Sequence, residues 1–557
     1  MIFHNFYKNF FPILIFVFLF TVFLFGQEAQ DIVNGNLIQF SSNGAWCWYQ
    51  DERAVVDIAN NKIIIASNRT SNGHDYADMY DMSTGTTQNY DLGFIGSDDH
   101  NTPGLLIRPD GKYLAMFSKH NNDKITHYRI FSNGSWSADQ TFNWNTQPGG
   151  ADFNTTYSNV YYLSAEDRTY DLSRGNGHGG QNFLISTDQG DTWSYGGFLT
   201  TNATSVGYVN GYFKYCSNRI DRIDFICTEY HPRDFNTSIY HGYIKDGQTF
   251  KSDGTLIDDN IFDGNPSHPS DYTLVFQAGT VLNSLEMTHC WNTDVQRYSD
   301  GTIATIITAR TNDDSNNPTH AFIYCRYNGT TWNSTYLGNA GLKLYFSEQD
   351  YTGLAAMHPN TPDIIYISST YDPQDDTFLT KHEIFKGVTK DGGETWAWTP
   401  ITENSTMDNL RPIVPVWEDY KTALIWFRGT YTTAQIIDAQ IVGVITDEAS
   451  TMSVEVKNIA PVEFSLSHNY PNPFNPSTTI NWQIPERSFV MLKVFDILGN
   501  EVATLVNEQK DAGTYKYQFS LINNQLSSGI YFCRLNALSE ENPSRNYVQT
   551  RKMILMK

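Results

Sequence analysis

The sequence predicts an all-β protein: a seven-bladed β-propeller followed by a small C-terminal β-sandwich. Three observations predict this class. Between about residues 35 and 446, short runs of alternating apolar residues are broken by Gly, Asn and Asp, as in Lys62–Ser67 (KIIIAS) and Thr302–Arg310 (TIATIITAR). No convincing amphipathic helix interrupts these runs. A turn motif ending in Trp recurs along the same stretch.

The recurring turn sets the expected number of blades. Ser186–Trp193 (STDQGDTW) and Thr389–Trp396 (TKDGGETW) share the pattern S/T-x-D-x-G-x-T-W, and Phe131–Trp136 and Arg326–Trp332 are diverged copies. We expect the Asp to cap backbone amides, the Gly to adopt positive φ and the Trp to pack between strands. The four Trp positions are 57, 139 and 64 residues apart. A unit of about 57 residues divides the stretch into seven, within the usual range of propeller blades. These turns resemble the Asp-boxes of sialidase-like propellers, where they are structural.

Both ends of the chain carry export signals. Lys8 precedes an apolar run from Phe10 to Phe25, which predicts a signal peptide over 1–26, with an uncleaved membrane anchor as the alternative. No later stretch is long and apolar enough to span a membrane, so we expect none in the mature protein. At the other end, a polar linker over 447–461 precedes alternating segments with Gly and Asn turns, which predict a β-sandwich over 462–557.

This C-terminal segment resembles the type A sorting domain of the type IX secretion system. The resemblance rests on Asn469–Ile480 (NYPNPFNPSTTI), Val494–Leu505 (VFDILGNEVATL), Gly513–Phe519 and Gly529–Leu535 (GIYFCRL). It implies that the type IX machinery carries the protein across a bacterial outer membrane, for release or for attachment at the cell surface.

Composition narrows the class of partner. Of 557 residues, 40% are hydrophobic and 14% aromatic, which suits β-structure and sugar-binding surfaces. The chain has 37 basic and 60 acidic residues, and its net charge of −23 argues against a nucleic-acid partner. Residues 27–461 carry −25. A polyanion-degrading enzyme would therefore need Arg174, Arg219, Arg222 and Lys214 clustered at the mouth. The acidic charge otherwise favours a glycan-binding propeller or a neutral glycan.

The six cysteines show no metal-type CxxC spacing and do not form a disulfide scaffold. Because the protein is exported, Cys216 and Cys227 are a candidate disulfide across a hairpin. Buried free thiols are the alternative.

Three segments place titratable groups beside strand ends, where a propeller gathers its loops. They contain His100 and His120, then Tyr157 and Arg174, then Tyr212 and His231. Such a set suits β-elimination from a uronic acid, in which a cation neutralises the carboxylate while a base and an acid move protons. Spacing alone does not separate this reaction from hydrolysis.

Several segments, in order, resemble the BNR-repeat propeller family that contains the ulvan lyases. They are WCWYQDERAVVD (Trp46–Asp57), DDHNTPGLLIRPDGK (Asp98–Lys112), the TYSN…RG pair, FKY…DRIDF…HPR, SEQDYTGLAAMHPNTPDIIYISS (Ser347–Ser369) and ENSTMDNLRPIVPVW…ALIWFRGTY (Glu403–Tyr431). The resemblance implies a polysaccharide lyase that cleaves beside a uronic acid. It implies that Tyr157 is the acid and also the base for one epimer, and that His100 is the base for the other. His120 and Arg174 would bind the carboxylate, with Tyr212 and His231 as further substrate-binding groups.

The same resemblance implies no organic cofactor, and it allows a structural zinc or calcium ion with His231, His241 or His289–Cys290 as ligands. We expect a secreted monomer acting on an anionic, ulvan-like polysaccharide. Two alternatives remain. One is a non-catalytic glycan-binding propeller, and the other is a sialidase-like glycoside hydrolase, although the arginine triad and Tyr–Glu pair of a sialidase are not evident.

Overall fold

The computed structural model describes residues 30–146, 154–175, 180–201, 211–311, 319–417, 421–447, 464–467, 469, 472–520, 526–539 and 546–556. The predicted signal peptide and nearly all of the predicted linker lie outside these residues. The chain divides into two compact units, Met1–Glu448 and Ala449–Lys557. Their boundary falls within the segment predicted as the linker.

The first half of unit 1 consists of short strands that alternate with tight turns. In chain order they are β1 (Ile32–Val33), β2 (Ile38–Ser41), β3 (Ala54–Asp57), β4 (Lys62–Arg69), β5 (His74–Asp81), β6 (Thr86–Phe94), β7 (Gly104–Ile107), β8 (Tyr113–Ser118), β9 (Ile125–Ser132), β10 (Ser135–Trp136), β11 (Gln140–Asn143), β12 (Thr155–Leu163), β13 (Arg168–Gly175), β14 (Gln181–Ser186), β15 (Ser194–Phe198), β16 (Phe213–Ser217) and β17 (Ile223–Cys227).

The second half continues in the same way. It contains β18 (Ile239–Lys245), β19 (Gln248–Lys251), β20 (Leu256–Asp258), β21 (Thr273–Phe276), β22 (Val281–Leu282), β23 (Leu285–Arg297), β24 (Ile303–Thr311), β25 (His320–Tyr327), β26 (Trp332–Asn339), β27 (Ala355–Met357), β28 (Ile364–Tyr371), β29 (Phe378–Val388), β30 (Ala397–Pro400), β31 (Thr402–Glu403), β32 (Asp408–Ile413), β33 (Lys421–Thr433) and β34 (Ile436–Asp447). The helices of the described residues are three single 3₁₀ turns at Asp99–Asn101, Trp144–Thr146 and Pro269–Asp271.

These strands form a closed ring of antiparallel sheets. The sheets of four or more strands in the described part of unit 1 are β3–β6, β7–β11, β12–β15, β16–β21, β22–β26, β27–β30 and β2 with β32–β34, seven in all. Strands of neighbouring sheets pack together, as β3 does on β7 and β23 on β27. Strand β2 joins the last sheet through β34 and packs on β5, which closes the ring. The predicted all-β, propeller-type architecture is confirmed.

The recurring turns have the predicted structure. Asp188 accepts hydrogen bonds from the Thr192 backbone N–H (2.9 Å) and hydroxyl (2.6 Å), and Gly190 has a φ of 95°. Asp391 and Gly393 repeat this arrangement in the turn between β29 and β30. Both turns lie between the outer two strands of their sheets, so they stabilise the blades.

Unit 2 consists of two antiparallel sheets around one core. Its strands are β35 (Ser465–Leu466), β36 (Ser477–Ile484), β37 (Ser488–Phe495), β38 (Glu501–Lys510), β39 (Gly513–Ser520), β40 (Gly529–Ser539) and β41 (Asn546–Leu555). The sheets have the orders β35-β36-β39 and β38-β37-β40-β41. Trp482, Leu492 and Leu535 are buried in the core that both sheets contribute to, as a β-sandwich requires.

All six cysteines are buried free thiols. Cys216 lies opposite Asp224 in the β16–β17 ladder and Cys227 lies opposite Phe213, so the pairing of Cys216 with Cys227 is wrong. No helix within the described residues has the length and hydropathy needed to cross a membrane.

Candidate functional site

The site lies where the inner strands of several sheets begin. In β12 the register shifts between Thr156 and Asn159, and Tyr157 within this bulge has a φ of 68°. Arg411 in β32 repeats the device, with a φ of 51° inside a register shift. A non-glycine residue in this region costs about 1–3 kcal/mol, which the surrounding structure must offset. The bulges bring both residues to one buried cluster at the inner strands, and Tyr49, Tyr212 and Trp291 belong to the same cluster.

The two predicted histidines form a stacked pair on one carboxylate. The rings of His100 and His120 are parallel within 7°, with centroids 4.2 Å apart. Asp98 bonds Nδ1 of His100 (2.7 Å) through one oxygen and Nδ1 of His120 (3.0 Å) through the other. His100 Nε2 lies 3.1 Å from the Tyr351 hydroxyl. The His120 side chain is 28% exposed against 5% for His100, so the pair reaches solvent through His120.

The other four predicted residues join the pair from two neighbouring sheets. The guanidinium of Arg174 donates to the Tyr212 hydroxyl (2.7 Å) and, at 3.5 Å, to that of Tyr157. Tyr212 also bonds His231 Nε2 at 3.2 Å. The Tyr157 ring lies 5.8 Å from His100, which connects the two groups. The six residues predicted to form the site therefore lie together.

The three histidines differ in charge, because their surroundings shift their pKa values in different directions. Burial opposes charging of His100, but Cys47, Asp98 and Asp99 outweigh it and raise its pKa well above 6.5. Burial and the neighbouring His100 charge lower the pKa of His120 to about 4. Burial and the charges of Arg233 and Arg174 lower that of His231 to about 3. At neutral pH the stacked pair thus consists of a cationic His100 and a neutral His120.

Tyr157 remains a protonated phenol. Burial raises its pKa well above 10, although the Arg174 charge acts in the opposite direction. A phenol in this state donates a proton more readily than it accepts one.

Five further residues that the sequence did not single out hold the site in place. Asp98 bridges the histidines and also accepts from Gln435 Nε2 (2.6 Å) in the β33–β34 turn. Asp99 pairs with the fully buried Arg411 at 2.5 Å and accepts from the Tyr431 hydroxyl. All of these except Gln435 lie in segments that carry the family resemblance. No local sequence signal marks these contacts, because the bonded partners are up to 337 positions apart in the chain.

The four basic residues that a polyanion-degrading enzyme would need at its mouth do not cluster there, since only Arg174 lies in the site. Lys214 is buried and bonds Asp51 (2.6 Å) and the Trp48 carbonyl, one layer below the site. Arg219 pairs with Glu52, and Arg222 lies over the Tyr243 ring. The cause is strand direction: Arg219 and Arg222 lie at the β16–β17 turn, at the opposite end of β16 from Tyr212.

Two groups among the described residues have the composition of a metal site, and both contain His100. They are Cys47, Asp99 and His100, and Asp98, His100 and His120. In these groups Asp98 already bonds both histidines, and Asp99 pairs with Arg411. Neither group contains His231, His241, His289 or Cys290, which were predicted as metal ligands. His241 instead bonds Asp224 and Ser252, and His231 bonds Tyr212.

Several solved structures resemble the fold at low sequence identity. The crystal structure of the polysaccharide lyase Uly1 is 12% identical, covers 75% of this chain and all of its own, and has a TM-score of 0.49. The α-L-arabinanase of Penicillium chrysogenum is 12% identical over 62% of this chain and 93% of its own, at 0.36. The β-propeller domain of the Trilobed protease from Pyrococcus furiosus is 9% identical over 73% and 96%, at 0.34. No curated protein sequence matches the chain.

Two family models match the sequence itself. The model for the secretion system C-terminal sorting domain matches residues 468–553, so the protein is exported or attached to the bacterial cell surface, as predicted. The model for BNR repeat-containing family members matches residues 46–340, from the first sheet through β26 and over the histidines, Tyr157 and Arg174. Since this match spans more than half of the chain, the protein belongs to the BNR repeat-containing family.

Proposed function

We propose that this protein is a secreted polysaccharide lyase that cleaves a uronic-acid-containing, ulvan-like polysaccharide by β-elimination. One observation carries the proposal: a buried arginine, two tyrosine hydroxyls and a stacked histidine pair of unequal charge meet in one site. Elimination needs a cation, a base and an acid on one sugar ring, and this set supplies all three.

The cation acts on the carboxylate. The hydrogen at C5 of a uronic acid is weakly acidic, and neutralising the neighbouring carboxylate makes its removal easier. Arg174, 2% exposed, would bind that carboxylate in surroundings where a charge interaction is strong. The cationic His100 would add to this field.

The charge states favour exchanging the roles that the sequence suggested for the histidines. If the Nδ1 proton of His120 is donated to Asp98, Nε2 carries the lone pair and serves as the base. It takes the C5 proton, the C–H electrons form the C4–C5 double bond, and the C4–O bond breaks. The departing oxygen takes the phenolic proton of Tyr157, whose raised pKa favours the acid role over the base role.

The test measures the ultraviolet absorbance of the conjugated double bond that elimination creates. The full-length chain without residues 1–26 is incubated with ulvan and with other uronate polymers. We expect absorbance to rise with the parent protein. The rate of this rise should be about 10²–10⁴-fold lower for Tyr157→Phe. Tyr113→Phe is the matched control, because Tyr113 is a buried tyrosine that bonds Asp57 in another sheet.

Each other outcome has a distinct meaning. Shortening of the polysaccharide without a rise in absorbance would show hydrolysis instead of elimination. Binding without shortening would leave a glycan-binding propeller. A full rate in Tyr157→Phe would remove Tyr157 from the reaction.

A further inference from the structure

A tight turn beside the site presents an aromatic ring to solvent. Tyr345 and Glu348 pair as an antiparallel bridge, which leaves Phe346 and Ser347 at the tip. Phe346 is 88% exposed, the highest value among the large exposed hydrophobic residues. Single exposed apolar residues are common on protein surfaces. Because the Phe346 ring is exposed, it does not stabilise the fold by being buried.

The base of this turn is anchored to the site. The Tyr345 ring lies 5.5 Å from that of Tyr351, which bonds His100, and 5.7 Å from that of Tyr431. On the other side, Glu348 pairs with Arg233 at 3.2 Å, and the Arg233 backbone N–H donates to His231 Nδ1. The turn is therefore attached to both halves of the site, with its tip pointing away from the packed residues.

One cation beside the ring suits an anionic polymer. Lys343 Nζ lies 5.2 Å from the centre of the Phe346 ring. Arg233, at the base of the turn, pairs with both Glu348 (3.2 Å) and Asp234 (3.1 Å), so these carboxylates offset its charge. Lys343 is therefore the cation that the turn offers to an anionic sugar chain.

We propose that Phe346 is the stacking platform of a sugar subsite next to the cleavage site, with Lys343 facing the anionic groups of the bound polysaccharide. The C–H face of a pyranose ring covers the phenyl ring, while a carboxylate or sulfate group reaches the Lys343 ammonium. An isolated ring beside a cation fits a polyanionic sugar chain better than a protein surface, which would need a larger apolar patch. The inference rests on the proposed function, because the polysaccharide that occupies the subsite is its substrate.

The experiment compares Phe346→Ala, Phe346→Trp and Phe94→Ala in the full-length chain without residues 1–26. Phe94 is 70% exposed at the end of β6 and serves as the matched control. With polymer, we expect Phe346→Ala to raise KM about tenfold with kcat within twofold, Phe346→Trp to restore KM, and Phe94→Ala to behave as the parent. With the shortest cleaved oligosaccharide, too short to reach the turn, Phe346→Ala should match the parent.

Parental KM for Phe346→Ala on polymer would overturn the subsite. An equal loss on the polymer and the shortest oligosaccharide, or a fall in kcat, would do so too, because the turn would then act on the site itself. Retardation of each protein in gels containing ulvan separates this inference from the proposed function. If the parent makes no double bond in any polymer, the lyase proposal fails. If ulvan in the gel still retards the parent protein and this retardation is lost in Phe346→Ala, the subsite is supported. If no polymer retards the parent protein, the subsite is overturned.

Discussion

The inner strands hold two layers of buried polar groups, and the layers differ in what surrounds each charge. The site layer contains His100, His120, Tyr157, Arg174, Tyr212 and His231. The ion-pair layer below it contains Asp51, Arg53, Lys214 and Asp294. Strand β16 links them, because Tyr212 precedes it by one residue and Lys214 lies two residues further along on the same face.

In the ion-pair layer, opposite charges face each other. Lys214 bonds Asp51 at 2.6 Å, and Arg53 lies 3.4 Å from the same carboxylate. In the site layer, Arg174 bonds the Tyr212 phenol, while His100 meets the Asp98 carboxylate and stacks on His120. Buried charges that meet a counter-ion hold the ring together. The site layer adds to these pairs neutral phenols and an imidazole that are able to exchange protons with a substrate.

The largest expected effect breaks the ion-pair layer. Lys214→Met leaves Asp51 buried with a weaker partner, so we expect the free energy of unfolding of unit 1 to fall by about 3–5 kcal/mol. Urea unfolding followed by tryptophan fluorescence measures it. Lys245→Met, which removes a half-exposed pair with Asp221, should cost less than about 1 kcal/mol. Equal costs for the two variants would contradict the structural role of this layer.

Next in size is the loss of the arginine in the site layer. Arg174→Lys keeps the charge but loses the planar donor geometry, and we expect kcat/KM for elimination to fall about 10²–10³-fold. Arg222→Lys, away from the site, should retain the parental rate. Initial rates of absorbance increase measure both. A rate for Arg174→Lys within threefold of the parent would show that charge alone suffices.

A third change tests a buried carboxylate outside both layers. Burial raises the pKa of Asp171 to about 7 from 3.8, and the Ser173 hydroxyl bond offsets this only in part. Since the folded pKa exceeds the unfolded one, parental stability falls as pH rises from about 4 through 7. Asp171→Asn should therefore raise the free energy of unfolding by about 2–3 kcal/mol at pH 8, and by much less at pH 4. Urea titrations at both pH values measure this, and an equal effect at both would refute the cause.

The smallest effect sharpens the assignment within the histidine pair. His120 should titrate near pH 4, and it is neutral above that value. His100→Gln removes a neighbouring charge that lowers this pKa, so the midpoint should move up toward 6.5. NMR titration of the His120 ring reports the midpoint without any need for activity. An unmoved midpoint would mean that burial and the Arg174 charge, without His100, lower the pKa of His120.

Part of the site could be predicted from the sequence because its residues lie in or beside short recognisable motifs. His100, His120, Tyr157, Arg174, Tyr212 and His231 each stood in a matching segment, and they lie together. Asp98, Tyr351 and Arg411 stood in such segments too, but nothing local marked them as contacts of the histidines. The basic cluster failed for a local reason: residues near one another in a hairpin can lie at opposite ends of a strand.

The sequence by itself determined the strand periodicity, the Asp-capped turns and the C-terminal sorting domain, because each depends on residues within a few positions of one another. The tertiary structure decided which of the 14 histidines meet a carboxylate, an arginine or a phenol. Ring closure brings Tyr351 to His100 across 251 positions and Arg411 to Asp99 across 312. These contacts also set the charge states of the histidines, because burial and neighbouring charges determine each pKa. Neither burial nor a neighbouring charge is a property of a local segment of sequence.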